Sequence, residues 1–261
     1  MSYSLKRIGR QARRLGIFDE VRLFTPEDVP DYVKASSLFS CARGAGYWCW
    51  KPALIDLVLQ QSDEGTIAIY VDAGCTLRKS SEWELFLRLM DRYDTLCFQY
   101  EESQSQWAKH GSPSARIKHW TKKKTLDFVK DYFHNPDAGE IPQIMGGVLF
   151  MKGKRNRVLS TWKDLIFNHP DLISDPSPEE LADQYPFFAA HRHDQSVLTP
   201  LAYSDPDTLV LPEISEAYRR DSFVWASRVR ARNVREHVTI QIKHYLRIWL
   251  GDELFEKLKG H

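Results

Sequence analysis

The chain contains four short segments whose residue types could bind or transform a ligand, and the first of them follows a predicted strand. Thr66–Val71 is almost continuously apolar or β-branched, as expected for a strand that is covered on both faces. Asp72, Ala73 and Gly74 come directly after it. Ligands bind beyond the carboxyl ends of strands in open α/β sheets, so Asp72 is placed to meet a ligand or a hard cation. A strand-ending aspartate in a simple turn has the same pattern.

The second segment is Gly46–Pro52 (GYWCWKP), which places three large aromatic side chains before a helix that is predicted to start at Pro52. Large aromatic side chains bury much apolar area, so most of this surface must pack or stack. Lys51 lies at the start of the helix, where a cation is unfavourable unless an anion is near. A diphosphate is one such anion. The alternative is a core aromatic cluster with a solvated lysine.

Two further segments follow. Gly146 and Gly147 stand directly before the apolar run Val148–Met151, and paired glycines there indicate close backbone approach, a bulge or a tight turn. His191–Ser196 (HRHDQS) precedes an apolar run that begins at Val197, and its density of titratable groups favours a functional site over a surface loop. Its HxHD part is similar to the metallo-β-lactamase metal motif, but the further histidine that this motif requires is missing.

The composition excludes several classes of protein. The 261 residues carry a formal net charge of +1 and 43% hydrophobic residues, which is ordinary for a globular protein and not typical of a nucleic-acid binder. No apolar run approaches the length of a membrane span, and Met1–Arg14 lacks the apolar core of a signal peptide. The four cysteines show no CxxC spacing, so we interpret them as reduced, mostly buried thiols of a cytoplasmic protein.

Predicted strands alternate with predicted helices along the chain, which indicates an α/β fold with a mostly parallel sheet. The strands are expected at Val21–Phe24, Thr66–Val71, Thr95–Tyr100 and Val148–Met151. Two patterns are interpreted as structural: Asp205–Asp207 as a proline turn, and Lys122–Lys124 as a solvated helix face. We expect one domain over residues 1–217 and a basic, aromatic helical extension over 218–261.

Taken together and in this order, the segments resemble a family of bacterial glycosyltransferases from capsule and surface-polysaccharide clusters. The shared motifs are GYWxWKP, YxDAG, a glycine pair before a strand and HRHDQS, with a further WTK element at Trp120–Lys122. The resemblance runs from about residue 2 to about residue 225. It implies a GT-A fold and transfer of a sugar from a nucleotide-sugar donor to a glycan or lipid-linked acceptor, with retention of configuration weakly favoured.

The resemblance also implies roles for the site residues. Donor binding falls to Lys51, Trp50, Asp72, Ala73, Gly74, Gly146 and Gly147, and catalysis to His193, Asp194 and Gln195. Asp194 and Gln195 would orient the sugar, and Asp194 would stabilise positive charge at the anomeric carbon. A divalent cation, Mg or Mn, if the reaction uses one, would be held by Asp72 and the donor diphosphate, with His191 or His193 as a further ligand.

The chain departs from the family pattern in two places. Gly74 stands where the third position of the usual DxD motif has an aspartate, so one metal ligand of the usual set is absent. The sequence also opens almost directly on its first helix, where related chains have a strand, and we expect coding sequence upstream of Met1 or weak nucleotide affinity. The main alternative is a non-catalytic sugar-nucleotide or glycan-binding protein. For the extension from Tyr218 onward, the arginines among Phe223, Trp225 and Val229 suggest peripheral contact with an anionic membrane.

Overall fold

The structure is a computed structural model that describes residues 2–102, 114–213, 215, 219, 221–226, 231, 233–251, 254–255 and 257. The chain divides into two compact units. Unit 1 consists of Met1–Thr25, Val71–Leu87 and Ile214–His261, and unit 2 consists of Pro26–Tyr70 and Arg88–Glu213. Residues from both ends of the chain therefore belong to the same unit.

The described helices include seven of eight residues or more: α1 (Tyr3–Leu15), α2 (Trp50–Gln60), α3 (Glu82–Leu89), α4 (Lys123–Tyr132), α5 (Arg157–Asn168), α6 (Asp194–Ser204) and α7 (Val234–Leu250). Shorter α-helical segments occur at Asp31–Lys34 and Pro178–Ala182, whereas Gly44–Tyr47 is a turn of positive φ. Helix α1 ends at Leu15, because Gly16 adopts the left-handed conformation (φ 65°) that ends many helices.

The described strands are β1 (Ile67–Val71), β2 (Thr76–Leu77), β3 (Thr95–Gln99), β4 (Val148–Lys152), β5 (Thr208–Pro212) and β6 (Val224–Trp225). Four of them form a sheet in the order β1-β4-β3-β5, and β2 pairs with β6 in a two-stranded sheet. The fold is thus α/β, as expected. Strands β3 and β4 bury nearly all their residues, and on the helical side of unit 2 α5 packs against α2 and α6.

The prediction of a mostly parallel sheet is wrong. β3 and β5 are parallel, with Thr95 opposite Thr208, but β3 and β4 are antiparallel, with Leu96 opposite Phe150. The direction of β4 is set by the residues that precede it. The Met145 amide bonds to the Phe98 carbonyl and Ile144 forms an antiparallel bridge with Gln99, so the chain re-enters the sheet beside the end of β3 and runs back along it.

Three local predictions also fail. Val21–Phe24 forms no strand. β1 is mostly half-buried, because it is the terminal strand of the described sheet and lacks a neighbour on one side. Lys122 is not solvated: it is 1% exposed and its Nζ lies 2.9 Å from Glu180 Oε2. The Asp205–Asp207 turn is confirmed as structural, since Arg157 forms ion pairs with both aspartates.

Aromatic side chains pack together in the core of unit 1. The Trp83 ring contacts Phe18 and Phe223 edge-on, at centroid distances of 5.3 and 4.7 Å. Phe223 and Trp225, which the sequence suggested as membrane-facing, are 1% and 0% exposed. They therefore belong to the core of unit 1, and Val229 lies outside the described residues.

Candidate functional site

The segment that precedes α2 has an unusual backbone. Five consecutive residues have positive φ: Gly44 (61°), Ala45 (50°), Gly46 (95°), Tyr47 (54°) and Trp48 (62°). Left-handed backbone costs an ordinary L-residue about 1–2 kcal/mol, so the three non-glycine residues together store strain on the order of 3–6 kcal/mol. Strain of this kind persists only where the surroundings hold it, and it clusters at functional sites. We call residues 44–48 the left-handed turn.

Lys51, three residues after the turn, forms a buried ion pair with Asp194. The Lys51 Nζ lies 3.0 Å from Asp194 Oδ2, and the two side chains are 5% and 3% exposed. The same Nζ donates a hydrogen bond of 2.9 Å to the Gly146 carbonyl and lies 5.9 Å and 5.6 Å from the ring centroids of Trp48 and Tyr70. The alternative of a solvated lysine is therefore wrong. Three segments far apart in sequence meet at this ammonium group.

Asp194 is the first residue of α6, which confirms that the HRHDQS segment lies at a helix N-terminus. The helix dipole and Lys51 both favour the ionised carboxylate there, and a buried charge is tolerated when it is paired. The site also affects Cys49, because burial, and secondarily the Asp194 charge, raise the pKa of its thiol to about 12. Cys49 is thus protonated at neutral pH and is not a nucleophile.

Gln195 and the 144–146 segment pack closely together. Gln195 Nε2 donates to the Ile144 carbonyl at 3.0 Å, and the Ile144 amide donates to Thr199 Oγ1 at 3.1 Å. A Cβ atom at Gly146 would lie 3.0 Å from Gln195 Cγ and 3.3 Å from Lys51 Nζ. The first glycine of the pair is therefore explained by close approach, which was one of the explanations left open by the sequence. Gly147 adjoins it immediately before β4.

His193 connects the left-handed turn to the segment around Ile173. Its ring stacks on Tyr47 at a centroid distance of 4.9 Å, and its Nδ1 donates to the Ile173 carbonyl at 2.8 Å. Its backbone is strained as well, with φ 52° and ψ −117°. Burial lowers the pKa of His193 to about 4, so the imidazole is neutral at pH 7. Its Nε2 has no hydrogen-bond partner within the described ranges, the nearest carboxylate oxygen being Asp175 Oδ1 at 3.8 Å.

His191 has a structural role in the described arrangement. Its Nε2 donates to the Leu172 carbonyl at 3.0 Å, and its Nδ1 accepts from the Lys122 amide at 3.2 Å. Burial lowers the pKa of His191 well below its usual range, so it stays neutral. The WTK element therefore packs directly on HRHDQS, and Ser196 Oγ adds a hydrogen bond of 3.1 Å to the Trp120 carbonyl.

The predicted cation site does not fit these positions. Both ring nitrogens of His191 and the Nδ1 of His193 already form hydrogen bonds, and a metal ion would have to break one of those at His191. Asp72, the carboxylate expected to hold the cation, lies in the turn after β1 and is half-buried. Within the part of the chain that the structure describes, no group of three or more His, Cys, Asp or Glu side chains is placed to hold a metal ion.

Asp72, Ala73 and Gly74 form a turn that is held by α1. The Asp72 carbonyl accepts from the Cys75 amide at 2.9 Å. Arg7 is 3% exposed and donates to the carbonyls of Ala73 (2.8 Å) and Cys75 (2.7 Å). Asp72 itself is half-buried. Sequence reasoning missed Arg7, since one arginine among several basic residues in an amphipathic helix gives no signal of burial.

Other contributors to the site were also missed. Trp162 Nε1 donates to the Asp194 carbonyl at 3.2 Å, Tyr70 lies beside Lys51, and the carbonyls of Leu172 and Ile173 bind the two histidines. Carbonyl partners cannot be read from side-chain types at all. Trp50 lies beside the site but has its indole N–H bonded to the Gly44 carbonyl at 3.0 Å, which ties α2 to the left-handed turn.

Beside the turn, unit 2 has an open concavity of about 300 Å³ whose lining includes Tyr47, Asp171 and Ser174. Hydroxyl and carboxylate groups around an aromatic ring are suited to a polar ligand such as a sugar. The nearest part of the ion-pair site is His193, which stacks on the same Tyr47.

Comparisons with known proteins identified no similar protein. No family model matches the chain, no curated protein is detectably similar in sequence, and no solved structure is detectably similar. Function is therefore inferred from the residues and their geometry.

Proposed function

We propose that the protein is a glycosyltransferase that moves a sugar from a nucleotide-sugar donor to a glycan or lipid-linked acceptor in surface polysaccharide synthesis. The observation on which the proposal rests is the buried contact of Lys51 with Asp194 and Gly146. These residues come from three of the motifs that resemble glycosyltransferases, and they are at least 48 positions apart in the chain. A purely structural origin of the motifs would not require them to converge on one charged group beside strained backbone.

In the proposed reaction, the bond between the anomeric carbon and the leaving diphosphate breaks, and its electron pair goes to the diphosphate. The acceptor hydroxyl oxygen forms the new bond to the anomeric carbon, and its proton passes to the departing diphosphate oxygen. Asp194 stabilises the positive charge that develops at that carbon. Lys51 is a positioning residue that keeps the Asp194 carboxylate ionised and oriented.

Gln195 and His193 have supporting roles in this proposal. With a pKa of about 4, His193 is a weak base at pH 7, so we assign its Nε2 as a hydrogen-bond acceptor for a sugar hydroxyl instead of a general base. Gln195 is only half-buried and presents an amide beside Asp194, where it would orient the sugar. Because the residues present do not fit the expected cation, no step is assigned to one.

The burial of Asp194 requires an opening step. The residue is 2% exposed, so a sugar reaches it only after a neighbouring segment moves. We assign that movement to the left-handed turn, since Tyr47 and Trp48 both contact His193 and the turn stores strain. Hydrogen exchange on residues 41–51 should change when the donor binds, and unchanged exchange with a bound donor would contradict this assignment.

The proposal is tested with a panel of nucleotide sugars on the full chain, by thermal shift and by hydrolysis of the donor. We expect one donor to raise the melting temperature and to be hydrolysed slowly. Gln195→Ala should reduce hydrolysis by about tenfold or more, measured below its melting temperature, because it also loses the hydrogen bond to the buried Ile144 carbonyl, which costs about 1–3 kcal/mol of stability. Asp183→Asn, at a 78% exposed carboxylate paired with Lys123, is the matched control and should behave as the wild type.

Two outcomes would contradict the proposal. Stabilisation by a donor or glycan without any turnover would favour the non-catalytic binding protein. If no nucleotide sugar stabilised the protein, both the transferase and the non-catalytic binding protein would be excluded.

A further inference from the structure

Helix α7 belongs to unit 1 and contacts the rest of that unit through polar and aromatic groups on one side. Tyr3 Oη and His237 Nδ1 are 3.2 Å apart, Gln241 Nε2 donates to Thr76 Oγ1 at 3.3 Å, and the His244 ring lies 6.1 Å from that of Trp225. Residues 237, 241 and 244 are spaced four and three apart, so they share one face of the helix. The Tyr245 ring also contacts Trp225, at a centroid distance of 5.5 Å.

Ile240, Ile248 and Leu250 of α7 are half-buried, but five other apolar residues of the helix are exposed. Val234, Val238, Ile242, Leu246 and Trp249 recur at helical spacing and are 62%, 48%, 53%, 42% and 74% exposed. We call them the α7 stripe. No residue within this helix is fully buried. A surface helix normally turns its apolar residues towards its own core, so an exposed stripe of this size beside the half-buried Ile240 and Ile248 requires another explanation.

The charge of this region indicates what covers the stripe. Residues 218–261 contain ten Lys or Arg and five Asp or Glu, whereas residues 1–217 contain 26 and 30. On α7 itself Arg235, Lys243 and Arg247 outnumber one acid, Glu236. An apolar stripe bordered by basic residues, with a tryptophan among its members, is the pattern of a helix that lies in a membrane interface. The 17 residues of α7 include four charged ones, and nowhere along the described chain is a helix long and apolar enough to cross a membrane.

We propose that the α7 stripe binds the surface of an anionic membrane, with the helix lying in the interface plane. Trp249 and Ile242 enter the boundary between headgroups and acyl chains, and Arg235 and Lys243 meet the lipid phosphates. The α7 stripe takes the place of Phe223 and Trp225 as the proposed membrane contact, because those two residues belong to the core of unit 1. The inference does not depend on the proposed transferase activity, because it uses no residue of that site.

The test is co-sedimentation of the full chain with vesicles of phosphatidylcholine alone and with vesicles that contain about one third phosphatidylglycerol. We expect binding to the anionic vesicles that falls severalfold in high salt. The double variant Ile242→Gln with Trp249→Gln should weaken binding by about tenfold or more. Its fold should be unaffected because both side chains are exposed, and circular dichroism checks this. The control is Leu181→Gln, at a leucine of unit 2 that is 56% exposed, which should bind as the wild type.

Three results would overturn the proposal. They are no binding of the wild type to anionic vesicles, equal binding of the wild type and the double variant, and a dimer in solution that the double variant abolishes. The last result would mean that a second copy of the chain covers the stripe.

Discussion

The Lys51–Asp194 pair allows a quantitative prediction. Two unit charges 3.0 Å apart attract by about 5 kcal/mol at an effective dielectric constant of about 20. Desolvation offsets much of that attraction while both charges are present, but removing one partner leaves the other buried and uncompensated. Such a loss typically costs 3–5 kcal/mol. We therefore expect Lys51→Met and Asp194→Asn each to lower the free energy of unfolding by roughly that amount, and the melting temperature by about 6–20 °C.

The double variant Lys51→Met with Asp194→Asn distinguishes coupling from simple loss of packing. It leaves no unpaired charge, so its loss of stability should be well below the sum of the two single losses, with a coupling free energy of about 2 kcal/mol or more. The control is the exposed pair of Lys123 and Asp183, whose aspartate is 78% exposed. Asp183→Asn should change stability by less than about 1 kcal/mol.

The assay is urea unfolding followed by circular dichroism at pH 7, on the wild type, the two single variants, the double variant and the control. Additive losses in the double variant would refute the reasoning, because they would mean that the two charges do not interact. The same variants also constrain the proposed activity. If Lys51 positions Asp194, then Lys51→Met should reduce turnover more than donor affinity when measured below its melting temperature.

Three further predictions concern strain, titration and close approach. Ala45→Gly should raise the free energy of unfolding by about 1 kcal/mol in urea unfolding, because glycine adopts φ of 50° without strain; a loss would argue against the left-handed turn. The folded pKa of His193, about 4, lies below the unfolded value of about 6.5, so stability should be greatest above pH 6.5 and fall by up to about 1.4 kcal/mol per pH unit down to pH 4. His193→Asn should remove that part of the slope between pH 6.5 and pH 4 and leave the part that comes from His191, whose pKa is also lowered by burial; an unchanged slope would exclude His193 as a source. Gly146→Ala should cost about 1–3 kcal/mol in urea unfolding and weaken donor binding by calorimetry, whereas unchanged values would show that Gln195 yields freely.

Much of the local structure follows from the sequence because it is determined by nearby residues. Gly16 ends α1 since a left-handed C-cap favours glycine. Asp194 begins α6 where a polar run meets an apolar helical one, and Arg157 with the Asp205–Asp207 turn behaves as an ordinary surface cluster. The α/β class also follows, because alternating strand and helix periodicities are local signals. The motif residues Lys51, Gly146 and Gln195 were all identified in this way.

Other features depend on contacts between distant segments, which local patterns do not specify. The direction of β4 depends on where the chain re-enters the sheet, and Ile144 decides that by bridging to Gln99. Lys122 has the same local pattern as a solvated lysine, yet it is buried because Glu180 lies within reach of its ammonium group.

The tertiary structure likewise decided which predicted residues share a site. Lys51 and Asp194 were assigned separate roles, and only folding shows that each neutralises the other. His191 was a candidate metal ligand until the backbone carbonyl of Leu172 proved to occupy one of its nitrogens. Sequence determined which side chains carry charge and where helices begin. Folding decided which charges lose their water, because a charge leaves water only where a partner from elsewhere in the chain replaces its hydration.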